Sequence, residues 1–166
     1  MLETGVRIRA YETADWAGVW RILEPVFKEA ESYMVDPGIS EAEARKLWMG
    51  HSGRVYVAED EGGRILGTYY LKANHPGPGD HICNAGFAVH PEARGRGIAR
   101  TMGRHALDAA RNFGYEAMQF NAVVSSNTAA VKLWKSLGFR IVAEVPRAYR
   151  SRRHGRVAIY IMHRPL

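Results

Sequence analysis

The sequence contains a single cysteine and no long hydrophobic run. Because Cys83 is the only thiol among 166 residues, no internal disulfide can form, and such a chain is typical of a reducing compartment. No window approaches the roughly 20 apolar residues of a membrane-spanning helix, and residues 1–10 carry charges where a signal peptide would be apolar. We therefore expect a soluble, cytoplasmic protein without a membrane partner.

Internal repeats, linkers and low-complexity segments are also missing from the sequence. With 46% hydrophobic residues, the chain has enough apolar content for a core, and we expect residues 1–166 to form one globular domain. The formal net charge of +6 is compatible with a nucleic acid, an anionic cofactor or simple solubility. Charge alone therefore does not choose between these classes.

Hydrophobic periodicity and turn residues predict the element order β-α-α-β-β-β-α-β-α-β-β. Pro25 lies inside the pattern of the first helix and predicts a kink or a break near Glu24. Ser40–Glu43 has the residues of a capping box, which indicates the start of the second helix. The basic residues 147–156 are expected to form the loop between the last two strands.

The stretch from Ala85 to Arg100 combines the end of a strand, a glycine turn and the start of a helix. The apolar run Ala85–Val89 predicts a buried strand that stops before Pro91, and an amphipathic helix begins at about Gly97. The first N–H groups of a helix lack intrahelical partners and lie at the positive end of its dipole, so they suit a phosphate. Gly95 and Gly97 would let the backbone approach that phosphate closely.

The same turn is rich in arginine, the side chain best matched to phosphate geometry. These residues are Arg94, Arg96, Arg100 and Arg104. The turn lacks the G-x-x-x-x-G-K-[ST] spacing of a P-loop and the third glycine of the dinucleotide fingerprint. We therefore predict a polyphosphate site of another kind.

The turn and a second block together resemble the GNAT superfamily of N-acetyltransferases. Arg94, Gly97 and Ala99 match the superfamily's acyl-CoA motif [Q/R]-x-x-G-x-[G/A], and Asn127–Phe139 is similar to its N-x-x-A-x-x-L-[Y]-x-x-x-G-F block. The resemblance implies an α+β GNAT fold with a single mixed sheet of about seven strands flanked by about four helices. It also implies acetyl-CoA as co-substrate. The residues it assigns to CoA binding are Val89, Arg94, Gly95, Arg96, Gly97, Ile98, Ala99, Arg100, Asn127 and Trp134.

The reaction implied by the resemblance is direct transfer of acetyl from a thioester to an amine. Such chemistry needs a neutral amine, donors for an oxyanion and a proton for the leaving thiolate. The resemblance assigns the donors to the backbone of Phe87, Ala88 and Val89. Trp134 stands where many family members have an acidic tyrosine, and residues 81–89 contain no carboxylate. The general acid and base therefore remain unassigned, with a water relay as one alternative.

Two other kinds of chemistry are weighed against direct transfer. An acetyl-enzyme could form on Cys83, but a lone cysteine in a core strand is usually a small buried apolar residue. The histidines show no spacing typical of metal ligands, so no metal is expected. We expect neither a covalent intermediate nor a metal centre.

Asn121 is the candidate residue for the acceptor. Alternation in the strand 116–124 places Gln119, Asn121 and Val123 on one face and Phe120 and Ala122 on the other. An amide there can hydrogen-bond an amine or a carboxylate, although it could equally be satisfied by neighbouring backbone.

A narrower resemblance points to the acceptor class. Asn74–Gly77, His81–Phe87 and Gln119–Asn121 are similar to the fungal N-acetyltransferases that act on proline analogues such as azetidine-2-carboxylate, and to their bacterial relatives. This implies a small-molecule amine acceptor, an amino or imino acid, with Asn121 facing it. In the GNAT fold the first two helices and their connection line one side of the acceptor site, so the GNAT resemblance makes the loop 29–38 a candidate substrate loop, although packing of its aromatic and Met residues as a lid explains them more simply. An acetyltransferase acting on ribosomal N-termini or lysines is the alternative within the superfamily.

The basic residues 147–156 raise a rival from another class, a nucleic-acid-binding module. Arginines interleaved with Tyr149 could follow a phosphate backbone and stack on a base. A solvated hairpin loop explains the same charges, so we expect no nucleic-acid partner. The chain is expected to be a monomer or a homodimer.

Overall fold

The computed structural model describes residues 4–50 and 54–166 and contains one seven-stranded mixed sheet with helices on both faces. The strands are β1 (Val6–Ala10), β2 (Val55–Asp60), β3 (Ile65–Ala73), β4 (Ile82–Val89), β5 (Ala117–Val124), β6 (Arg140–Ser151) and β7 (Gly155–Pro165). The helices are α1 (Trp16–Glu29), α2 (Glu41–Met49), α3 (Ile98–Asn112) and α4 (Thr128–Ser136). The predicted α+β fold and the order of its elements are confirmed.

The strand order is β1-β2-β3-β4-β5-β7-β6, and β4–β5 is the parallel pair at its centre. β4 alternates between the two layers: Cys83 and Ala85 pack with α3 and α4, whereas Ala88 packs with α1 and α2. The strand is therefore covered on both faces, as its continuous apolar run requires. Among the described residues, no helix is both long and apolar enough to cross a membrane.

Helix α1 continues through Pro25, so of the kink or break predicted near Glu24 the break does not occur. Proline inside a helix costs about 3 kcal/mol. Val26 and Phe27, immediately after it, are almost completely buried in the layer beneath α1 and α2, and burying two such side chains contributes about 1.5–3 kcal/mol each. Packing of the last turn therefore offsets the local cost.

The start of α2 agrees with the sequence. The Ser40 hydroxyl accepts a hydrogen bond from the Glu43 backbone N–H (3.2 Å), and the Glu43 carboxylate accepts one from the Ser40 N–H (3.3 Å). These reciprocal bonds satisfy two donors at the helix start. The predicted capping box is confirmed.

The basic stretch is largely strand, which corrects the predicted loop. β6 extends to Ser151 and β7 begins at Gly155, so only residues 152–154 form the turn. Near this turn the Ser151 hydroxyl donates to the Glu31 carboxylate (2.5 Å), and the Arg153 backbone N–H donates to its other oxygen (2.8 Å). The end of the hairpin therefore packs against the loop between α1 and α2, and that tertiary contact extends the strands.

Candidate active site

A cavity of about 320 Å³ opens where β4 and β5 separate. The two strands pair at Ile82–Ala117 and Cys83–Met118 and then diverge. We call this opening the splay. Its walls come from the loop 30–40, β3, β4, β5 and α4. A cleft that exposes the edge of a buried central strand offers unpaired backbone groups to an extended ligand.

The register of β3 and β4 decides which peptide groups face the splay. The His90 N–H donates to the Leu66 carbonyl (2.9 Å), and hydrogen-bonded pairs alternate in antiparallel strands. Ala88, two residues earlier, therefore directs its peptide groups to β3, whereas Phe87 and Val89 direct theirs to the splay. Of the three predicted backbone donors, Phe87 and Val89 therefore point toward the splay, and Ala88 does not.

Tyr33 closes one side of the splay from the loop between α1 and α2. Its hydroxyl donates to the Phe87 carbonyl oxygen (2.6 Å), and its own carbonyl accepts a hydrogen bond from the Tyr149 hydroxyl (3.1 Å). Desolvation raises the pKa of Tyr33 well above its usual value, and the nearby Tyr70 adds to this effect. The loop 29–38 was expected near the acceptor, and its residues 32–34 do line the cavity, but no sequence pattern indicated the bond to Phe87.

The glycine turn has the geometry of an anion cradle. Gly95 and Gly97 have φ values of 76° and 78°, in the left-handed region that glycine adopts without a Cβ penalty. The first hydrogen bond of α3 runs from the Thr101 N–H to the Gly97 carbonyl (3.1 Å), and no side chain of residues 4–50 or 54–166 caps the helix start. The N–H groups of Ile98, Ala99 and Arg100 are therefore left for a ligand.

The arginines of this turn have different partners. Arg94 forms a two-pronged ion pair with Glu29, with nitrogen–oxygen distances of 2.7 and 3.0 Å, and so ties the turn to the end of α1. Arg96, Arg100 and Arg104 have no carboxylate within 4.0 Å in the described part of the chain. Positive charge is therefore available at the start of α3 from residues other than Arg94.

Asn127 and Trp134 bring α4 to the other side of the splay. The Asn127 side-chain oxygen accepts a hydrogen bond from the Ala130 N–H (3.4 Å), so it caps the helix. The Trp134 ring is buried and lies 4.8 Å from the Phe87 ring and 4.7 Å from the Phe120 ring, centroid to centroid. An indole has no acidic proton, so Trp134 supplies an apolar wall.

Asn121 lines the cavity and belongs to a chain of amides. Its side-chain oxygen accepts from the Gln119 amide (3.1 Å), and its amide nitrogen donates to the Asn74 side-chain oxygen (2.7 Å). The strict alternation predicted around it is wrong, because β5 is irregular against β7 between Phe120 and Val123. Val123 consequently packs in the cluster of Phe120.

Two polar residues at the cavity escaped the sequence reasoning. Asn84 is only 8% exposed, and its amide nitrogen donates to the Gln119 carbonyl (2.8 Å), at the point where backbone pairing between β4 and β5 stops. Lys72 of β3 also lines the cavity. The sequence offered a signal for Asn84, an asparagine inside an apolar strand, since buried amides need partners. No local feature of the sequence indicated Lys72.

Cys83 is fully buried in the core and donates to the Ala117 carbonyl (sulfur to oxygen, 3.4 Å). Burial raises the pKa of its thiol to about 12, which leaves almost no thiolate at neutral pH. Over residues 4–50 and 54–166, no group of three or more His, Cys, Asp or Glu side chains could hold a metal ion. These features do not favour covalent catalysis.

The sequence matches a known protein family over most of its length. The profile of the acetyltransferase (GNAT) family matches residues 16–139. The N-acetyltransferase aca1 of Schizosaccharomyces pombe is 38% identical over 98 residues, which cover 58% of this chain and 47% of aca1. The chain thus spans about half the length of the curated relatives it matches.

Solved structures share the fold of this chain over nearly its whole length. A GCN5-related N-acetyltransferase from Kribbella flavida is 42% identical with a TM-score of 0.93, covering 98% of each chain. The acetyltransferase yncA of Salmonella typhimurium, solved with acetyl-CoA, is 26% identical with a TM-score of 0.81, covering 97% of this chain and 94% of its own. From its family profile, its fold and the geometry of its splay, the chain belongs to the GNAT family of acetyltransferases.

Proposed function

We propose that this protein transfers an acetyl group from acetyl-CoA directly to the amine of a small amino or imino acid. The observation that carries the proposal is the splay, where Phe87 lines a cavity shared with α4 and the loop 30–40 and the strand register turns the Phe87 and Val89 peptide groups toward the β5 side of β4. Residues 1–166 would act as a single catalytic domain.

The residues of the glycine turn fit the diphosphate of CoA. Gly95 and Gly97 keep the backbone open, and the first turn of α3 presents N–H groups that no described residue caps. Arg96 and Arg100 add charge and have no carboxylate partner among the described residues. The pantetheine arm would pair with the free edge of β4 near Val89. Asn127 and Trp134 would border it from α4. The thioester supplies an activated acetyl group.

Catalysis would depend chiefly on position and on backbone donors. The Phe87 and Val89 N–H groups can stabilise negative charge that develops on the thioester oxygen. Ala88 would support them by holding β4 against β3. The amine would attack the thioester carbon and the carbon–sulfur bond would break to release CoA. A carboxylate does not line the cavity in the described residues, so water would take the proton of the amine and return one to the departing thiolate. Holding the amine next to the thioester would supply much of the rate.

The size and lining of the cavity support a small acceptor. A space of about 320 Å³ lies at the lower end of ordinary ligand pockets, and it suits an amino acid better than a folded protein segment. Asn121 is already oriented by Gln119 and Asn74 and would contact the acceptor. The resemblance of Asn74–Gly77, His81–Phe87 and Gln119–Asn121 to the fungal proline-analogue enzymes supports this class.

A thiol-release assay with acetyl-CoA tests the proposal. Free amino acids, cyclic imino acids, polyamines, aminoglycosides and basic peptides should be compared at equal concentration, with the variant Asn121→Ala beside the wild type. We expect turnover of amino or imino acids and a fall in kcat/KM of roughly tenfold or more in the variant. Turnover of peptides without small amino acids would favour a protein acetyltransferase instead.

A further inference from the structure

Lys72 is the one charged side chain among the described residues that line the cavity. It lies on β3 directly opposite Asn84 of β4 and is half-buried. No carboxylate lies within 4.0 Å of its ammonium group in the described chain. A cation in such a place has lost part of its hydration and gained no ion pair.

The side chain of Lys72 leans along β3 toward the reactive part of the splay. Its Nζ atom is 5.7 Å from the centre of the Tyr70 ring. That ring lies so close over Gly86 that a Cβ atom there would be 2.5 Å from it, and Gly86 immediately precedes Phe87. The Tyr70 ring therefore lies near both the Lys72 ammonium and the backbone of Gly86, which is next to the peptide groups proposed to hold the thioester.

Lys72 and Phe87 line the same cavity, and an α-amino or α-imino acid carries one group for each of them. Its amine and carboxylate are separated by a single carbon, so a carboxylate held at Lys72 would direct the amine toward Phe87. Asn121, on β5, lines the same cavity and has an amide that could contact the acceptor. A cationic acceptor would instead meet an unshielded like charge in a partly desolvated space.

We propose that Lys72 binds the carboxylate of the acceptor and selects amino and imino acids over uncharged or polycationic amines. This assignment rests on the proposed function, since it names the group that recognises the substrate of that site. The ammonium pairs with the anion by a charge-assisted hydrogen bond, and the pairing fixes the amine beside the thioester.

Matched acceptors with and without the carboxylate test the assignment. L-Proline and L-prolinamide form one pair, and L-methionine and L-methioninamide form another. The variants are Lys72→Met, Lys72→Arg and Lys72→Glu, with Lys46→Met as the control because Lys46 is exposed on α2. Thermal melting checks that each variant is folded before kcat and KM are measured for every acceptor.

In Lys72→Met we expect kcat/KM for the acids to fall roughly 10- to 100-fold, mainly through KM, while the amides change less than about threefold. Lys72→Arg should retain acid turnover within about tenfold, Lys72→Glu should prefer the amides, and Lys46→Met should behave as wild type. Equal losses for acids and amides would overturn the role of Lys72. If the wild type acetylates none of the four compounds, the proposed function fails first and the assignment fails with it.

Discussion

The hydroxyl of Tyr33 donates a hydrogen bond to the backbone carbonyl oxygen of Phe87 across 2.6 Å, although the residues are 54 positions apart in the chain. The bond joins the loop between α1 and α2 to the exposed edge of the central strand. Tyr33 is also packed edge-on against Phe27 and Trp48, with ring centroids 5.4 and 6.0 Å away. The Tyr33 side of the cavity is therefore hydrogen-bonded to β4, the strand that carries the proposed donors.

Removal of that hydroxyl should loosen the loop. We expect Tyr33→Phe to lower the free energy of unfolding by about 1 kcal/mol, the usual net value of one hydrogen bond, and to raise KM for the acceptor. Binding of acetyl-CoA at the start of α3 should change less than about twofold. Denaturant titration, steady-state kinetics and calorimetry measure these effects. Tyr11→Phe is the control, because among the described residues the Tyr11 hydroxyl makes a single long, exposed bond, to the Thr13 carbonyl (3.4 Å). Equal behaviour of both variants would contradict the prediction.

Gly97 should be essential for acetyl-CoA binding. Gly97→Glu places a side chain on a residue with φ 78°, next to Thr4 (3.0 Å from the new Cβ), and a negative charge in the phosphate cradle. We expect affinity to fall at least about tenfold, or about 1.4 kcal/mol, as measured by calorimetry. Wild-type binding should also weaken with added salt.

The matched control for this substitution is Gly114→Glu, at the other end of α3. Gly114 has φ 84° and open space around an added Cβ, so the backbone strain is comparable while the cradle is untouched. If the two variants lose affinity equally, the loss reflects strain and the phosphate site lies elsewhere.

Acetyl transfer should not pass through Cys83. With a pKa of about 12, roughly one thiol in 30,000 is ionised at pH 7.5. We expect Cys83→Ala to keep most of its activity, at a cost in stability of about 1 kcal/mol, when assayed well below its melting temperature. Intact-protein mass spectrometry that shows an acetylated Cys83 able to pass its acetyl group to the acceptor would refute direct transfer.

Stability should decrease as the pH falls below the ordinary range of histidine, in part because of His105. Its Nδ1 atom lies 2.6 Å from the Tyr69 hydroxyl, and desolvation lowers its pKa, although Asp108 opposes the shift. Because the folded pKa lies below the unfolded value of about 6.5, the unfolded chain binds more protons between the two. The contribution is complete above pH 6.5 and is lost as the pH falls toward the folded pKa.

Denaturant titrations between pH 5 and 7.5 measure this effect. The slope from one proton is at most about 1.4 kcal/mol per pH unit, and partial exposure of the ring reduces it. His105→Asn should flatten the profile, whereas His75→Asn, at an exposed position, should not. An unchanged slope in His105→Asn would show that other groups cause the pH dependence.

The glycine turn could be read from the sequence because its determinants are local. Positive φ at Gly95 and Gly97 and the start of α3 at Ile98 follow from residues within one turn of each other. The family blocks lie in the same segments, so the resemblance and the physical argument agreed. Local rules failed at Pro25, where burial of the following turn outweighed the cost of proline in the helix.

The site depends on contacts that no local pattern encodes. Arg94 pairs with Glu29, 65 positions away, although its motif assigns it to phosphate. Likewise, Glu31 accepts from Ser151 and Arg153, which makes ordered strand out of a stretch that looked like a loop. Such pairs form only when the sheet brings distant segments together.

From the sequence alone came the family, the order of the elements, the glycine turn at the start of α3 and the absence of an acidic side chain at Trp134, because periodicity, glycine and helix starts act within a few residues. The tertiary structure decided which peptides of β4 face the splay, how the irregularity in β5 orients Val123, and that Lys72 enters the cavity. These depend on strand register and on packing between remote segments. A shift of one residue in register would turn every such group to the opposite side.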